Sequence, residues 1–363
     1  MQYRRLGKTD LQVSVIGFGA IKLPGISAEE ASAALNRALD LGINFVDTAR
    51  NYRDSEEKIG RALSGRREEF YLATKTGKRD AEGVRADLET SLRELRTEVI
   101  DLYQLHSVSS PGEWEKVMAP GGALEAVVKA KEEGKIRHIG ISIHRALNVM
   151  REAITCDEFE TVMLAYSPLD QEGVAAEILP LAKKHDLGVI VMKPLSGGLL
   201  ATPQPEGKPR RPGPDPLVVG SLHYIISNPN VSVVIPGMQS VREVEENAPV
   251  GDRPEPMTAE ERAELFRALG SLGREFRYGQ VCLRCGYCQP CSQGIPIPEV
   301  FRAVDMYRSY PEELKGLAVE VYRKLEVKPT ECVECEECIP KCPAGLEIPT
   351  RLKEAVELFT PLM

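Results

Sequence analysis

Apolar positions in the first 250 residues come in short runs separated by amphipathic stretches of helical length. The runs fall at 13–19, 43–48, 70–75, 100–106, 136–142, 161–167, 188–194 and 231–237. They are apolar at consecutive rather than alternate positions, as in strands buried on both faces. Between most of them, 28–41, 55–63, 83–95, 122–133, 175–185 and 216–227 carry apolar residues at helical spacing. Shorter stretches near 146–154 and 241–247 follow the fifth and eighth runs. Eight strands alternating with helices predict an α/β fold, a parallel sheet closed into a (β/α)8 TIM barrel. The competing arrangement is an open doubly wound sheet, which calls for Gly-x-Gly-x-x-Gly after the first strand. Gly17-Phe18-Gly19 supplies only a fragment of that motif.

Two segments interrupt the alternation. Residues 107–121 are long for a connection after a strand, and 202–216 are proline-rich with Lys208, Arg210 and Arg211. Each reads either as a solvated, mobile loop or as a lid over the C-terminal mouth of the barrel, the basic residues then lying near a pyrophosphate. Beyond 250 the texture changes. Residues 251–256 read as a linker, and Thr258-Ala259-Glu260-Glu261 as a capping box opening a helix to about Phe276. Cysteine groups then flank a helical-looking stretch at 297–325. The expected organisation is a barrel over 1–250, a linker and helix over 251–280, and a small, mostly helical cysteine module over 281–363.

Composition narrows the function. The 363 residues are 42% hydrophobic and 28% charged, the balance of a globular protein with a sizeable core. A net charge of −8 argues against a nucleic-acid partner. No apolar run is long enough to span a membrane, and Met1-Gln2-Tyr3-Arg4-Arg5-Leu6-Gly7 lacks an apolar signal region, so the expected location is the cytoplasm. Eight of nine cysteines lie between Cys282 and Cys342. In a reducing compartment such clustering predicts metal ligation rather than disulfides. The remaining one, Cys156, reads as a buried filler.

The second group, Cys332-x2-Cys335-x2-Cys338-x3-Cys342-Pro343, has the bacterial ferredoxin spacing, in which the fourth cysteine serves the other cluster of a pair. The first, Cys282-x2-Cys285-x2-Cys288-x2-Cys291, has a shorter last gap and Ser292 where proline is usual. Alone it also fits a four-cysteine zinc site. Together the groups supply eight thiolates, enough for two [4Fe–4S] clusters. The swapped arrangement pairs Cys342 with Cys282, Cys285 and Cys288, and Cys291 with Cys332, Cys335 and Cys338.

Chemistry in a (β/α)8 barrel sits where the strands end. The second run ends near Asp47 with Tyr52 just beyond, the third in Lys75 and the fourth in His106. These types suit carbonyl reduction. Hydride addition puts negative charge on the carbonyl oxygen, and a phenol can protonate it if a nearby ammonium stabilises the phenolate. Asp47 would hold Lys75 charged and fixed, and His106 would orient the carbonyl or join the proton relay.

The N-terminal 250 residues resemble the aldo-keto reductase superfamily. The likeness rests on Arg5-Leu6-Gly7-Lys8-Thr9, Gly42-Ile43-Asn44-Phe45-Val46-Asp47-Thr48-Ala49, Tyr52 with Ser55-Glu56, Ala73-Thr74-Lys75 and Asp101-Leu102-Tyr103-Gln104-Leu105-His106. It continues through the segment from Gly134 to Ser142 and through Ile235-Pro236-Gly237 to Asn247. The resemblance implies a catalytic tetrad at Asp47, Tyr52, Lys75 and His106, and NADPH or NADH extended across the barrel mouth. The implied cofactor contacts are Gly19, Ala20, Asp47, Ser142, Gly197, Gly198, Leu199, Gly237, Ser240, Arg242, Glu243 and Asn247. Gly197-Gly198-Leu199 matches the loop that wraps the pyrophosphate. Ile143, Met163 and Met192 depart from the family's usual residues around the nicotinamide. Arg242 favours a 2′-phosphate and Glu243 a 2′-hydroxyl, which leaves NADP against NAD undecided.

With its cysteines, the chain resembles the subgroup bearing a C-terminal ferredoxin-type domain with two [4Fe–4S] clusters. Three readings follow. In the first, the barrel reduces a small carbonyl, or oxidises an alcohol, and the clusters are structural or sense oxidation. In the second, the clusters deliver electrons to a substrate or a flavin at the barrel mouth, drawing them from ferredoxin or another redox protein. In the third, the chain is an electron-transfer subunit whose barrel serves for docking. The intact tetrad weighs against the third.

Overall fold

The structure is a computed structural model that describes residues 1–363 except 145, 170, 202–211, 254–255, 271–281, 283, 310–311, 313–314 and 343–344. By packing, the chain forms two compact units, Met1–Pro194 with Leu222–Met257, and Leu195–Ser221 with Thr258–Met363.

The first unit opens with an antiparallel hairpin, β1 (Tyr3–Arg5) and β2 (Gln12–Ser14). Eight parallel strands follow: β3 (Phe18–Gly19), β4 (Phe45–Asp47), β5 (Tyr71–Thr76), β6 (Ile100–Leu105), β7 (Ile136–Ile143), β8 (Thr161–Ala165), β9 (Gly188–Met192) and β10 (Val233–Val234). Each pairs with the next in sequence order. Parallel bridges from Ile16 to Val234 and from Gly19 to Gly237 join the first strand to the last, so the sheet closes. The expected barrel is observed, with every predicted run holding one of these strands.

Inward residues of the strands form one core that includes Phe45, Ala73, Leu102, Met163, Ile190 and Val233. Leu6 and Val13 of the hairpin belong to the same core, and Gly7 bridges Leu187 just before β9. The hairpin thus covers the N-terminal end of the barrel. Gly188 is required there, because a Cβ on it would lie 2.7 Å from the Leu6 side chain.

Helices α1 (Ala28–Asp40), α2 (Ser55–Leu63), α3 (Ala81–Leu95), α5 (Ala123–Glu132), α6 (Leu147–Thr155), α7 (Leu179–Lys184), α8 (Pro216–Ile226) and α9 (Val241–Asn247) sit where the amphipathic stretches predicted them, and α4 (Pro111–Met118) lies where none was predicted. Capping starts several of them. Ser27 and Glu30 form a capping box at α1, and Asp80 accepts from the Gly83 amide at α3. Helix α4 corrects the reading of 107–121 as an unstructured loop. Ser110 accepts from the Glu113 amide and Pro111 occupies the first turn, a start signal with only Val117 buried behind it. A π-helical stretch, Gln171–Ile178, precedes α7. Within 202–216, Lys208, Arg210 and Arg211 lie outside the described residues.

In the second unit, α10 (Ala259–Gly270) begins at the expected capping box, Thr258 and Glu261 each accepting from the other's amide. Its expected end at Phe276 lies outside the described residues. Helices α11 (Ile297–Ser309), α12 (Lys315–Arg323) and α13 (Ile348–Phe359) follow, and Phe359 stacks on Tyr322 with ring centroids 4.2 Å apart. Residues 195–221, which the sequence assigned to the barrel, group with this unit. No described helix is long and apolar enough to cross a membrane.

Candidate active site

The parallel register brings the strand ends together. Gly19 pairs with Asp47, Asp47 with Ala73, and Lys75 with Gln104. Lys75 Nζ donates to Asp47 Oδ2 at 2.6 Å and to the Thr48 carbonyl at 2.7 Å. The same Nζ lies 5.3 Å from the centre of the Tyr52 ring. Tyr52 meets His106 edge to face, with ring centroids 5.8 Å apart. Asp47, Lys75 and His106 are buried, whereas Tyr52 is half-buried in the short connection between β4 and α2. The four residues expected at the barrel mouth therefore form one group, with the phenol on its accessible side.

Burial acts on each charge. It pushes the Lys75 ammonium down from the ordinary lysine value, and Asp47 opposes that. It pushes the Asp47 carboxyl up, and Lys75 and Gln104 hold it back. His106 is driven well below the ordinary imidazole value by burial and by Lys75, His144, Arg79 and Lys193, which keeps it neutral near pH 7. A neutral imidazole beside the phenol can donate one hydrogen bond without adding charge.

Sequence reasoning missed the supporting residues. Gln104 Nε2 donates to Asp47 Oδ1 at 3.1 Å. The signal was available, since Gln104 lies two residues before His106 and so shares its face of β6. Behind the site, buried Glu56 accepts from Thr74 Oγ1 at 2.6 Å and Ser91 Oγ at 2.8 Å, and Arg50 pairs with it.

The expected cofactor contacts divide. Gly19, Asp47 and Gly237 are neighbours by register on the barrel rim. The Ala20 carbonyl accepts from Ser55 Oγ at 3.2 Å. Ser142 Oγ accepts from the Ser107 amide at 2.8 Å. Ser240 caps α9 by accepting from the Glu243 amide, and Glu243 Oε2 accepts from the Gln239 amide at 2.8 Å. Glu243 is thus engaged in starting its own helix. Arg242 pairs with Glu246 one turn on, and Asn247 is buried at the helix end. Of the departures from the family pattern, Ile143 and Met163 are buried and Met192 is half-buried. Gly197, Gly198 and Leu199 lie in the second unit, the glycines at φ 71° and 93° and Leu199 buried.

The profile of the Aldo/keto reductase family matches residues 15–219. An uncharacterized oxidoreductase of Bacillus subtilis, YqkF, is 30% identical over 285 residues, covering 68% of this chain and 90% of its own. The Schizosaccharomyces pombe protein named aldo-keto reductase yakc [NADP(+)] is 35% identical over 230 residues, 56% of this chain and 66% of its own. The solved holo form of the aldo-keto reductase AKR11C1 from Bacillus halodurans superposes with a TM-score of 0.62 at 34% identity, covering 74% of this chain and 96% of that one. The chain belongs to the aldo/keto reductase family. It is accordingly an NAD(P)-dependent oxidoreductase.

The family match ends at residue 219, so the eight clustered cysteines of this aldo-keto reductase lie beyond it. Two hollows in the second unit are lined by them. Cys282, Cys285, Cys288 and Cys342 line one, with Pro298, Phe301, Leu346 and Ile348. Cys291, Cys332, Cys335 and Cys338 line the other, which Cys288 also borders. Burial pushes the Cys282 and Cys288 thiols up to about 12, so thiolates there need a compensating positive centre. Among the described residues, no three His, Cys, Asp or Glu side chains are grouped as ligands of one metal ion. Cys156, expected to be buried, is half-buried at the end of α6 and donates to the Ala153 carbonyl at 3.4 Å.

Proposed function

We propose that this aldo-keto reductase reduces a small aldehyde or ketone, or oxidises the corresponding alcohol, with Tyr52 as the proton donor and NADP(H) as coenzyme. The observation that carries this is Lys75 Nζ, held by Asp47 at 2.6 Å while standing 5.3 Å from the Tyr52 ring. Two of the ammonium's three protons are used on Asp47 and Thr48, which fixes its position under the phenol. Charge growing on the phenol oxygen during proton transfer is met by that cation. His106, neutral and next to the ring, is placed to hydrogen-bond the substrate oxygen. The coenzyme, when bound, supplies the hydride. Glu243 already accepts from the Gln239 amide, which leaves it less free to hold a 2′-hydroxyl, and the name of the yeast relative carries NADP(+). Tyr52→Phe should lower kcat for aldehyde reduction by about 10²–10⁴-fold while leaving coenzyme binding intact. Unchanged turnover would remove Tyr52 from the proposal.

The second unit, on this reading, holds two [4Fe–4S] clusters, one on Cys282, Cys285, Cys288 and Cys342 and one on Cys291, Cys332, Cys335 and Cys338. The ferredoxin spacing and the segregation of the thiols into two hollows support it. Ligands at cubane corners stand farther apart than the about 3.8 Å between thiolates on one tetrahedral ion, so a cluster does not require three thiols gathered around a single point. Bound clusters would supply reversible one-electron storage. Anaerobically purified protein should carry about eight irons and about eight acid-labile sulfides per chain; about four of each would leave room for a single cluster.

A further inference from the structure

The loop after β9 is tied to the cysteine loop. Residues 195–221 pack with the C-terminal unit. Within that unit, Arg284 stands between Cys282 and Cys285, and its Nη1 donates to the Gly197 carbonyl at 2.8 Å. The Arg284 amide faces Cys282 Sγ at 3.4 Å, and its Nη2 lies 3.8 Å from Asp305 Oδ2 on α11. One residue therefore touches the first cysteine loop through its backbone and the Ser196–Gly198 turn through its side chain.

The Gly198 and Leu200 amides close the turn on the Leu195 carbonyl, and Arg284 adds a hold from outside it. Gly197 and Gly198 both have positive φ, a conformation with high entropy to lose on ordering. A Cβ at Gly198 would sit 3.6 Å from Arg284 Nη1, which measures how closely the guanidinium approaches. Leu199 and Leu200, fully buried, anchor the far side of the turn. Arg284 is itself at φ 49°, so the arrangement of its own loop sets where the guanidinium points.

We propose that Arg284 is a positioning residue through which ligation of the first cysteine group orders the Ser196–Gly198 turn for a phosphate-bearing coenzyme. The inference rests on the proposed function for the identity of that coenzyme, but the coupling of the two loops does not. With Cys282 and Cys285 ligated, the Arg284 backbone is fixed and the guanidinium holds Gly197. With the ligands released, the turn loses its hold and coenzyme affinity falls. Loss of iron would then be read as weakened coenzyme binding.

The test uses full-length, iron-replete protein. Arg284→Met should raise the NADPH dissociation constant, measured by fluorescence titration, about tenfold, the loss of one charge-assisted hydrogen bond. It should speed amide hydrogen exchange across 196–200 while iron content and kcat at saturating NADPH stay at the wild-type values. Arg284→Lys should restore part of the affinity. Chelating the iron from wild-type protein should speed exchange in the same segment. Wild-type exchange rates at 196–200 in Arg284→Met overturn the proposal, as does wild-type protein that loses its iron with no rise in its NADPH dissociation constant. Wild-type protein with no NADPH affinity would instead overturn the functional reading, and the exchange measurements would still decide the coupling.

Discussion

Lys75→Met isolates the charge that the proposed chemistry depends on. The substitution keeps most of the side-chain length and deletes an ammonium 5.3 Å from the Tyr52 ring centre. With the ring centre standing for the position of the phenolate charge and an effective dielectric of 20, that charge interacts with the ammonium by about 3 kcal/mol. Asp47, 2.6 Å from Nζ, opposes that field and trims it. The expected fall in kcat/KM for aldehyde reduction is thus about 10- to 100-fold. The sign of the pH effect follows. Tyr52 acts in its protonated form, so kcat/KM declines as pH rises through the phenol pKa. Without the cation the phenolate is less stable, and the declining limb moves to higher pH. Lys75→Arg keeps the charge and should keep the limb near its wild-type position. Asp47→Asn leaves the cation unopposed and should move the limb the other way, provided buried Lys75 stays protonated. Removing Lys75 also leaves Asp47 unpaired in a buried site, at a cost of about 3–5 kcal/mol. Circular dichroism at the assay temperature checks that the variant is folded, and Asp47→Asn combined with Lys75→Met should recover most of the lost stability. An unmoved basic limb in folded Lys75→Met protein would refute the reasoning.

Three further outcomes test the frame around the site. Arg50→Met leaves Glu56 buried with only the Thr74 and Ser91 hydroxyls, and should destabilise the barrel by about 3 kcal/mol, read by urea unfolding followed through the barrel's only Trp, Trp114; Arg50→Met with Glu56→Gln should lose less. Glu160 is pushed up by burial but held at about 2 by His138, Lys131 and the Ile139 amide. Its stabilising contribution is present above the ordinary value of 4.5 and lost as pH falls toward about 2, so Glu160→Gln should flatten acid unfolding across that window. A methyl group on Gly60 would lie 2.1 Å from the Glu94 carbonyl of α3, so Gly60→Ala should lower the melting temperature despite the better helix propensity of alanine, and a rise would show that the two helices can part at little cost.

The chain's own pattern pointed to the barrel, because each strand is apolar on both faces and each helix on one, and a closed parallel sheet ringed by helices buries all of them. It also brought Asp47, Lys75 and His106 to one mouth, since polar residues at or just past the C-terminal ends of neighbouring parallel strands share that end of the barrel. The two cysteine groups were legible from spacing, and their thiols line two hollows, with Cys288 bordering both. Tertiary structure decided the rest, because those features depend on residues distant in sequence. The hairpin cover of the barrel floor depends on Leu6 meeting Gly188, and the placing of Asp47 on Gln104, 57 positions away. Helix α4 buries only Val117, too little of an apolar face for periodicity to register. The assignment of 195–221 to the cysteine unit, and with it the Arg284–Gly197 bond, spans 87 residues that no local pattern connects. Local sequence sets which face a segment buries; only the folded chain sets which distant partner lies on the other side of it.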